Sequence, residues 1–498
     1  MKADITTRAE LINALRTAAE LEHQLMAQYL FAVYSMKRYT WEGLDAVQLE
    51  RVRRWSSSIT LIARQEMEHL GLALNLLSSI GGTPSFTRPN MPQRADYYGA
   101  AGIKLELTRG NLDTIKRFQR FESPDRLTKK LKPEEPVSQK EARRWCRDKD
   151  ETVTNRFQLD AMLTSTAQAH AARSSAAAPG LLGGAPVLEF GWASVQELYE
   201  AIRSGFTLLS AEMGERNLFV GRPSLQVFGG PSSPQYGTMN DLNQYGLDVI
   251  GVTDLASARQ AITMILEQGE GISVNASYLR WTHFCLFTGI RNDMEEFDLG
   301  ELGARPVVRN PMTMLHPDVC PADQVTLLTN AHTIQVAKIF NQSYELMLLL
   351  LLYLYSDNVK SQTQVNSLMD AAFFPLMTMF IRPLAEILTE LPAFRNPKEK
   401  TKDGMRNAGP GFELNGDVLL FPALHATWDL FQERFDTIVA LYDELLRDGD
   451  PWIDIAVQRE SGFDQSRIWR RLEYMRSNMQ RLAADWRANW LNIGITSQ

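Results

Sequence analysis

The residue types best suited to chemistry in this chain are a carboxylate and an imidazole three positions apart, Glu66 and His69, in the segment ARQEMEHLGLALNLLSSIGGTP. On a helix a spacing of i, i+3 puts both side chains on one side, pointing the same way. Here that side is apolar. Trp55, Ile59, Ile62, Glu66, His69, Ala73, Leu76 and Ile80 share one face of a helix expected over residues 46–80. A carboxylate buried in such a stripe needs a cation or strong hydrogen bonds. A second inward carboxylate comes from the preceding helix, expected over 7–36. Its face carries Leu15, Ala18, Glu22, Leu25, Tyr29 and Val33, while Asn13, Arg16, Thr17, Glu20 and Gln24 lie on the opposite side.

Glu-x-x-His alone is common on solvated surfaces. The apolar face and the matching Glu22 set this instance apart. One Glu from a helix, with Glu-x-x-His from its neighbour, is half of the ligand set of di-iron and di-manganese carboxylate bundles. Oxygen and imidazole donors suit iron, with manganese or zinc as alternatives, in a di-metal or single-metal site. The other half is less regular. Glu267 and Glu270 are again i, i+3, at a helix end where acids oppose the dipole, and His283 follows on the next helical stretch. Glu197 and Glu200 read as structural: Glu197 belongs to a capping box opened by Ser194, and Glu200 lies on a wet face. His23 is turned one helical step away from Glu22. His316 lies beside Pro317 in an expected loop, and His170, His332 and His425 lack an acidic partner at ligand spacing. No nucleophile elbow, phosphate-binding loop or dinucleotide fingerprint occurs.

The elements that must position these residues read as helices throughout. Gly81-Gly82-Thr83-Pro84 ends the second helix. Further helices are expected near 110–121, from Ser194 toward 215, from Thr253-Asp254 to about 269, over 273–288, and near 324–356, 362–390, 421–447 and 465–490. No strand-like alternation is sustained. The stretch 123–150 is highly charged. Residues 161–178 are rich in Ala, Ser and Thr and are expected to form loops and short helices. Hydrophobic residues make up 44% and charged residues 22%, which allows a large core. The net charge of −7, with no dense basic run, argues against nucleic acid. The longest apolar run, Leu346 to Leu354, is too short to span a bilayer, so no membrane partner is expected. Three separated cysteines, Cys146, Cys285 and Cys320, suggest no disulfide framework and a cytoplasmic location.

Several segments together resemble the iminophenyl-pyruvate dimer synthase (VioB-like) family and its ferritin-like domain. They are AAELEHQLMAQYLFAVYSMK, ARQEMEHLGLALNLLSSIGGTP, VQELYEAI, TDLASARQAITMILEQGEG, THFCLFTGI, FFPLMTMFIRPLAEILTELP and AGPGFEL, in that order along most of the chain. The resemblance implies an all-α fold: a ferritin-like four-helix bundle over 1–300, with a charged, loop-rich insertion around 90–190, and an additional C-terminal helical region over 301–498. It implies a metal-facing set of Glu22, Glu66, His69, Glu267, Glu270 and His283, of which Glu22, Glu66, His69, Glu270 and His283 would be catalytic. One departure is Leu286, three residues after His283, where the family's segment usually carries Arg. The implied function is a metal-dependent oxidase or oxygenase acting on a small aromatic or amino-acid-derived substrate in bacterial secondary metabolism, as in oxidative coupling of imines. A non-catalytic ferritin-like metal-binding or stress protein is the alternative, and a relic whose carboxylates are met by hydrogen bonds is a third. Expected partners are the small-molecule substrate, a second copy in a homodimer, and an amino-acid oxidase or tailoring enzyme of the same pathway.

Overall fold

The computed structural model describes residues 5–94, 104–128, 131–132, 135–147, 192, 194–229, 247–269, 282–356, 362–396, 398–419, 424–447 and 465–490. The expectations for residues 161–178 and for Glu270 lie outside them.

Helix α1 (Arg8–Ser35) starts at Thr7, whose side chain accepts from the Glu10 amide while Glu10 reaches back to the cap backbone. Helix α2 (Ala46–Ser79) starts at Asp45 with the same reciprocal arrangement through Gln48. Each cap stabilises its helix by about 1 kcal/mol and fixes where the periodic faces begin. The predicted stripes are then buried as read, from Leu15 to Val33 on α1 and from Trp55 to Ile80 on α2. The first two loop-linked helices pack along each other. The ring is closed by α5 (Val195–Met213), against α1, and α6 (Leu255–Gln268), against both α2 and α5. These four form the bundle.

Three further helices sit beside it. Helix α3 (Leu112–Phe121) begins at the Asn111 cap, and α7 (His283–Glu296) at the Thr282 cap. Helix α4 (Gln139–Arg147) lies on the outer side of α7, and α7 packs on α2, α3 and α4. Contact between α4 and α7 joins Cys146 to Cys285 in a disulfide, and Cys320 is free. One disulfide thus forms among cysteines whose separation suggested no disulfide framework. The partners are 139 residues apart, so no local spacing announces the bond, and cysteine usage no longer argues for a reducing compartment.

The C-terminal helical region contains α8 (Ala331–Leu354), α9 (Gln362–Ala371), a π-helical turn over Ala372–Ile381, α10 (Arg382–Leu388), α11 (Leu424–Leu445) and α12 (Gln465–Trp490). Pro375 sits in the π segment. It cannot donate the usual helical hydrogen bond, and a π turn is one way for a helix to pass such a residue. Among the described residues, one stretch, Leu368–Leu388, is long and apolar enough to cross a bilayer by length and composition. Half of it is buried against protein, including Leu376, Phe380, Leu384 and Leu388, as in a core helix. Two short strands, β1 (Pro311–Met312) and β2 (Thr326–Leu327), pair in parallel, Pro311 with Thr326 and Met312 with Leu327.

Helix α10 packs on α1, and one hydrophobic core runs through the bundle and the C-terminal helices. This changes one expectation. Gln24, assigned to a wet face, is fully buried, as is Gln28. From Leu21 to Ser35 every residue of α1 is buried, all round the helix. A helix enclosed in this way belongs to the interior of a larger body, and the cover comes from residues some 300 positions later, such as Tyr344 on α8 bonding His23.

Candidate metal centre

Five buried side chains converge between α1, α2, α3 and α7. Glu22 comes from α1 and Glu66 and His69 from α2, as the periodicity requires. Each is 1% exposed. His283 is the first residue of α7 and is fully buried. Glu122 caps the C-terminus of α3 and is 3% exposed. Two groups of ligand-type atoms result, Glu22–Glu66–His69 and Glu66–Glu122–His283, with the atoms of each within 4.8 Å of one another. Glu66 belongs to both and divides its oxygens between them. Its Oε2 lies 3.2 Å from His69 Nδ1, and its Oε1 lies 3.0 Å from His283 Nδ1. His69 Nδ1 is also 3.8 Å from Glu22 Oε2, and His283 Nδ1 is 3.5 Å from Glu122 Oε2. The two imidazole rings stand 5.4 Å apart, tilted by 30°.

Each terminal carboxyl has a tyrosine behind it. Tyr199 on α5 donates its hydroxyl to Glu22 Oε1, and Tyr29 on α1 donates to Glu122 Oε1. The remaining carboxyl oxygens, Oε2 in both residues, face the histidines. Both imidazoles turn Nδ1 inward. Their outer nitrogens meet glutamine oxygens: His69 Nε2 is 3.0 Å from Gln268 Oε1, and His283 Nε2 is 3.2 Å from Gln65 Oε1. Gly269, just after α6, comes close to the second group. A Cβ there would lie 3.6 Å from Glu122 Oε2, 3.9 Å from His283 Nδ1 and 3.2 Å from the Ile265 carbonyl.

The electrostatics call for positive charge. Burial, and then the charge of Glu66, holds the Glu22 carboxyl well above the usual carboxylate range. Burial would raise Glu66 too, but His283 and His69 outweigh it and keep Glu66 ionised. Burial works against protonation of both imidazoles. Even so, Glu22 and Glu66 raise His69 well above its ordinary value, and Glu66 and Glu122 push His283 up to about 9. Protons thus supply the positive charge that three clustered carboxyls need. They do so imperfectly: buried Glu66 Oε1 and His283 Nδ1 lie 3.0 Å apart as an ion pair but are not aligned for a hydrogen bond, and neither atom makes one. A metal ion held by carboxylate oxygens and imidazole nitrogens at about 2.0–2.2 Å would meet both. The donor set therefore fits iron, manganese or zinc.

Of the residues singled out from sequence, Glu22, Glu66, His69 and His283 come together. Glu267 does not. It is half-buried and belongs to neither group, because the next residue of α6, Gln268, is the one turned toward His69. Successive helical residues point about 100° apart. Glu122 takes the place expected for an acid from 267–270. A signal for it was present: it follows the apolar Phe118 and Phe121 at the end of an expected helix, where a carboxylate opposes the dipole. Leu286, at the position of the family's Arg, is a half-buried apolar residue packed on the core. Glu200 accepts from Gln196 Nε2 on α5, as a structural residue would, and Ser194 caps the Glu197 amide. His316 does have an acidic partner, Glu413, at 3.0 Å.

Comparison with known proteins agrees with this architecture. The chain is 25% identical over 459 residues to dichlorochromopyrrolate synthase of Lentzea aerocolonigenes, which covers 84% of this chain and 37% of that protein. It is 24% identical over 416 residues to 2-imino-3-(indol-3-yl)propanoate dimerase of Chromobacterium violaceum, covering 78% of this chain and 33% of that protein. The chain thus spans about a third of the length of these relatives. A ferritin-like protein from Caulobacter vibrioides of known crystal structure aligns with 74% of this chain and 94% of its own, at 16% identity and a TM-score of 0.33, too remote a likeness to argue from. The Ferritin-like family model matches residues 15–292, more than half the chain and all five converging side chains, so the chain belongs to the Ferritin-like family.

Proposed function

We propose that this chain is an iron-dependent oxidase-type enzyme of secondary metabolism that couples or oxidises a small imine derived from an aromatic amino acid. The observation that supports it most is Glu66, which is shared between two carboxylate–imidazole groups, with buried Oε1 and His283 Nδ1 facing each other without a hydrogen bond. Bound iron would supply the capacity to activate dioxygen or peroxide. The relatives named above support the substrate class, one as a synthase of dichlorochromopyrrolate and the other as a dimerase of an indolyl imine. Oxidative coupling removes a pair of electrons and a pair of protons from two imines, and dioxygen takes them up as hydrogen peroxide, or peroxide takes them up as water.

The chain's own residues would hold and shield the centre. Glu22, Glu66 and His69 would bind one ion, and Glu66, Glu122 and His283 the other. Tyr199 and Tyr29 hold the outer carboxyl oxygens and leave the inner ones free to bind. Phe118 and Phe287 pack on Tyr29, at ring-centroid distances of 4.6 and 5.2 Å, and exclude water from that side. Partners under this reading are the imine substrate, an amino-acid oxidase that generates it, and a second copy in a homodimer.

The test uses the iron-reconstituted full chain, L-tryptophan and an L-amino-acid oxidase in air. Mass spectrometry then looks for a product that joins two imines. The reading expects that product with the unsubstituted chain and not with Glu66→Ala. A second reading, metal binding without turnover, is favoured by the near-complete burial of all five side chains. Iron bound in the chain, with no coupled or oxidised product from any aromatic imine, would establish it instead.

A further inference from the structure

The two glutamines at the outer imidazole nitrogens do more than fill space. An amide oxygen only accepts hydrogen bonds. Gln268 Oε1 at 3.0 Å and Gln65 Oε1 at 3.2 Å therefore require the proton of each ring to sit on Nε2. In the neutral ring, the form that binds a cation, that leaves the lone pair on Nδ1, the atom aimed at the carboxyl oxygens. The opposite tautomer would put N–H on the inward side and close the site to a cation. A carboxylate is a common partner of a ligand histidine. An amide fixes the same tautomer without adding a further negative charge to a pocket that already holds Glu22, Glu66 and Glu122.

The two bonds also cross between elements. Gln268 is the last residue of α6 and reaches His69 on α2. Gln65 precedes Glu66 on α2 and reaches His283 at the start of α7. Helix α2 therefore both gives a ligand imidazole to α6 and takes one from α7. Each glutamine serves one histidine, and each histidine serves one of the two groups around Glu66.

We propose that Gln268 and Gln65 are positioning residues, each fixing the Nδ1-inward tautomer of one histidine and so setting the affinity of one ion site independently of the other. The proposal rests on the metal-centre reading above.

Anaerobic cobalt(II) titration of the full chain tests it, followed by heat and by the visible absorption of the bound ion. Loss of an outer hydrogen bond to a ligand typically costs about 10- to 100-fold in metal affinity. Gln268→Leu is expected to weaken one ion by that factor and leave the other unchanged. In a His69→Ala background, which lacks the ion that Gln268 serves, Gln268→Leu should have no further effect while Gln65→Leu still does. Gln268→Glu restores an acceptor and should recover the affinity and the spectrum, whereas Gln268→Met, of similar length but with only a weak acceptor, should not; a merely structural role would have both recover. Circular dichroism confirms that each variant is folded, and Gln268→Met serves if the leucine variant is not. Two unchanged ions in a folded Gln268→Leu or Gln65→Leu chain overturn the proposal alone. No cobalt bound by the unsubstituted chain overturns the metal-centre reading, and this proposal with it.

Discussion

Replacing Tyr199 by Phe removes a single oxygen atom and leaves the ring packed as before. Tyr199 is fully buried, and its hydroxyl donates to Glu22 Oε1, itself 1% exposed. In the metal-free protein, burial and the charge of Glu66 keep Glu22 largely protonated near neutral pH. The hydrogen bond then joins two neutral groups and contributes about 1 kcal/mol. Once a metal ion binds, Glu22 is a carboxylate, and a bond to a charged acceptor contributes about 1.5–3 kcal/mol. The difference, about 0.5–2 kcal/mol, corresponds at its middle to roughly tenfold in affinity. Tyr199→Phe is therefore expected to lose about 1 kcal/mol of metal-free stability in urea denaturation and to bind iron(II) or cobalt(II) roughly tenfold more weakly in anaerobic titration. Unchanged affinity in a folded variant would refute the role given to Tyr199. A loss of several kcal/mol in the metal-free protein would show that the hydroxyl supports the fold rather than the ligand.

Other predictions concern the frame around the site. Asn75 on α2 is fully buried, donates to the Val227 and Ile250 carbonyls and accepts from the Val227 amide, clipping two loops to the bundle just before α6 begins. Asn75→Leu leaves these backbone groups unpaired at about 1–3 kcal/mol each, a loss that urea denaturation should register. His316 is raised above its ordinary 6.5 by the hydrogen bond that its ring donates to Glu413, against the opposing effect of burial. Its contribution to stability is full below pH 6.5 and is lost as pH rises through the raised folded value. The stability gap between the unsubstituted chain and His316→Gln should therefore be widest in acid and narrow toward alkaline pH; a gap that widens with pH contradicts the pairing. Denatured without reductant, the chain should titrate one thiol, Cys320, and after reduction three.

What could be read from the sequence follows the range of the interactions. Glu22, Glu66 and His69 were legible because helical periodicity is local, and an acid inside an apolar stripe stands out against its neighbours. The same rule failed at Gln24, whose face is wet only if the bundle stands alone. Here the C-terminal helices cover it, and nothing within one helix turn of Gln24 signals that. His283 was reached through family resemblance, since its partner Glu66 lies on a helix far earlier in the chain. Glu122 was missed although its misfit with the helix dipole was of the kind noted at 267–270. Choosing between those acids needs the packing of α3 on α7, which no spacing supplies. The Cys146–Cys285 pair and the His316–Glu413 pair join segments 139 and 97 residues apart, and they were unreadable for the same reason.

The central claim is that Glu66 is shared by two ion sites, so each neighbouring residue should govern one ion and Glu66 both. Elemental analysis after anaerobic iron loading tests it directly. The account predicts two irons per chain for the unsubstituted protein, one for His69→Ala, one for Glu122→Ala and none for Glu66→Ala. Equal iron in the unsubstituted and Glu66→Ala chains, or two irons retained without Glu122, would contradict it.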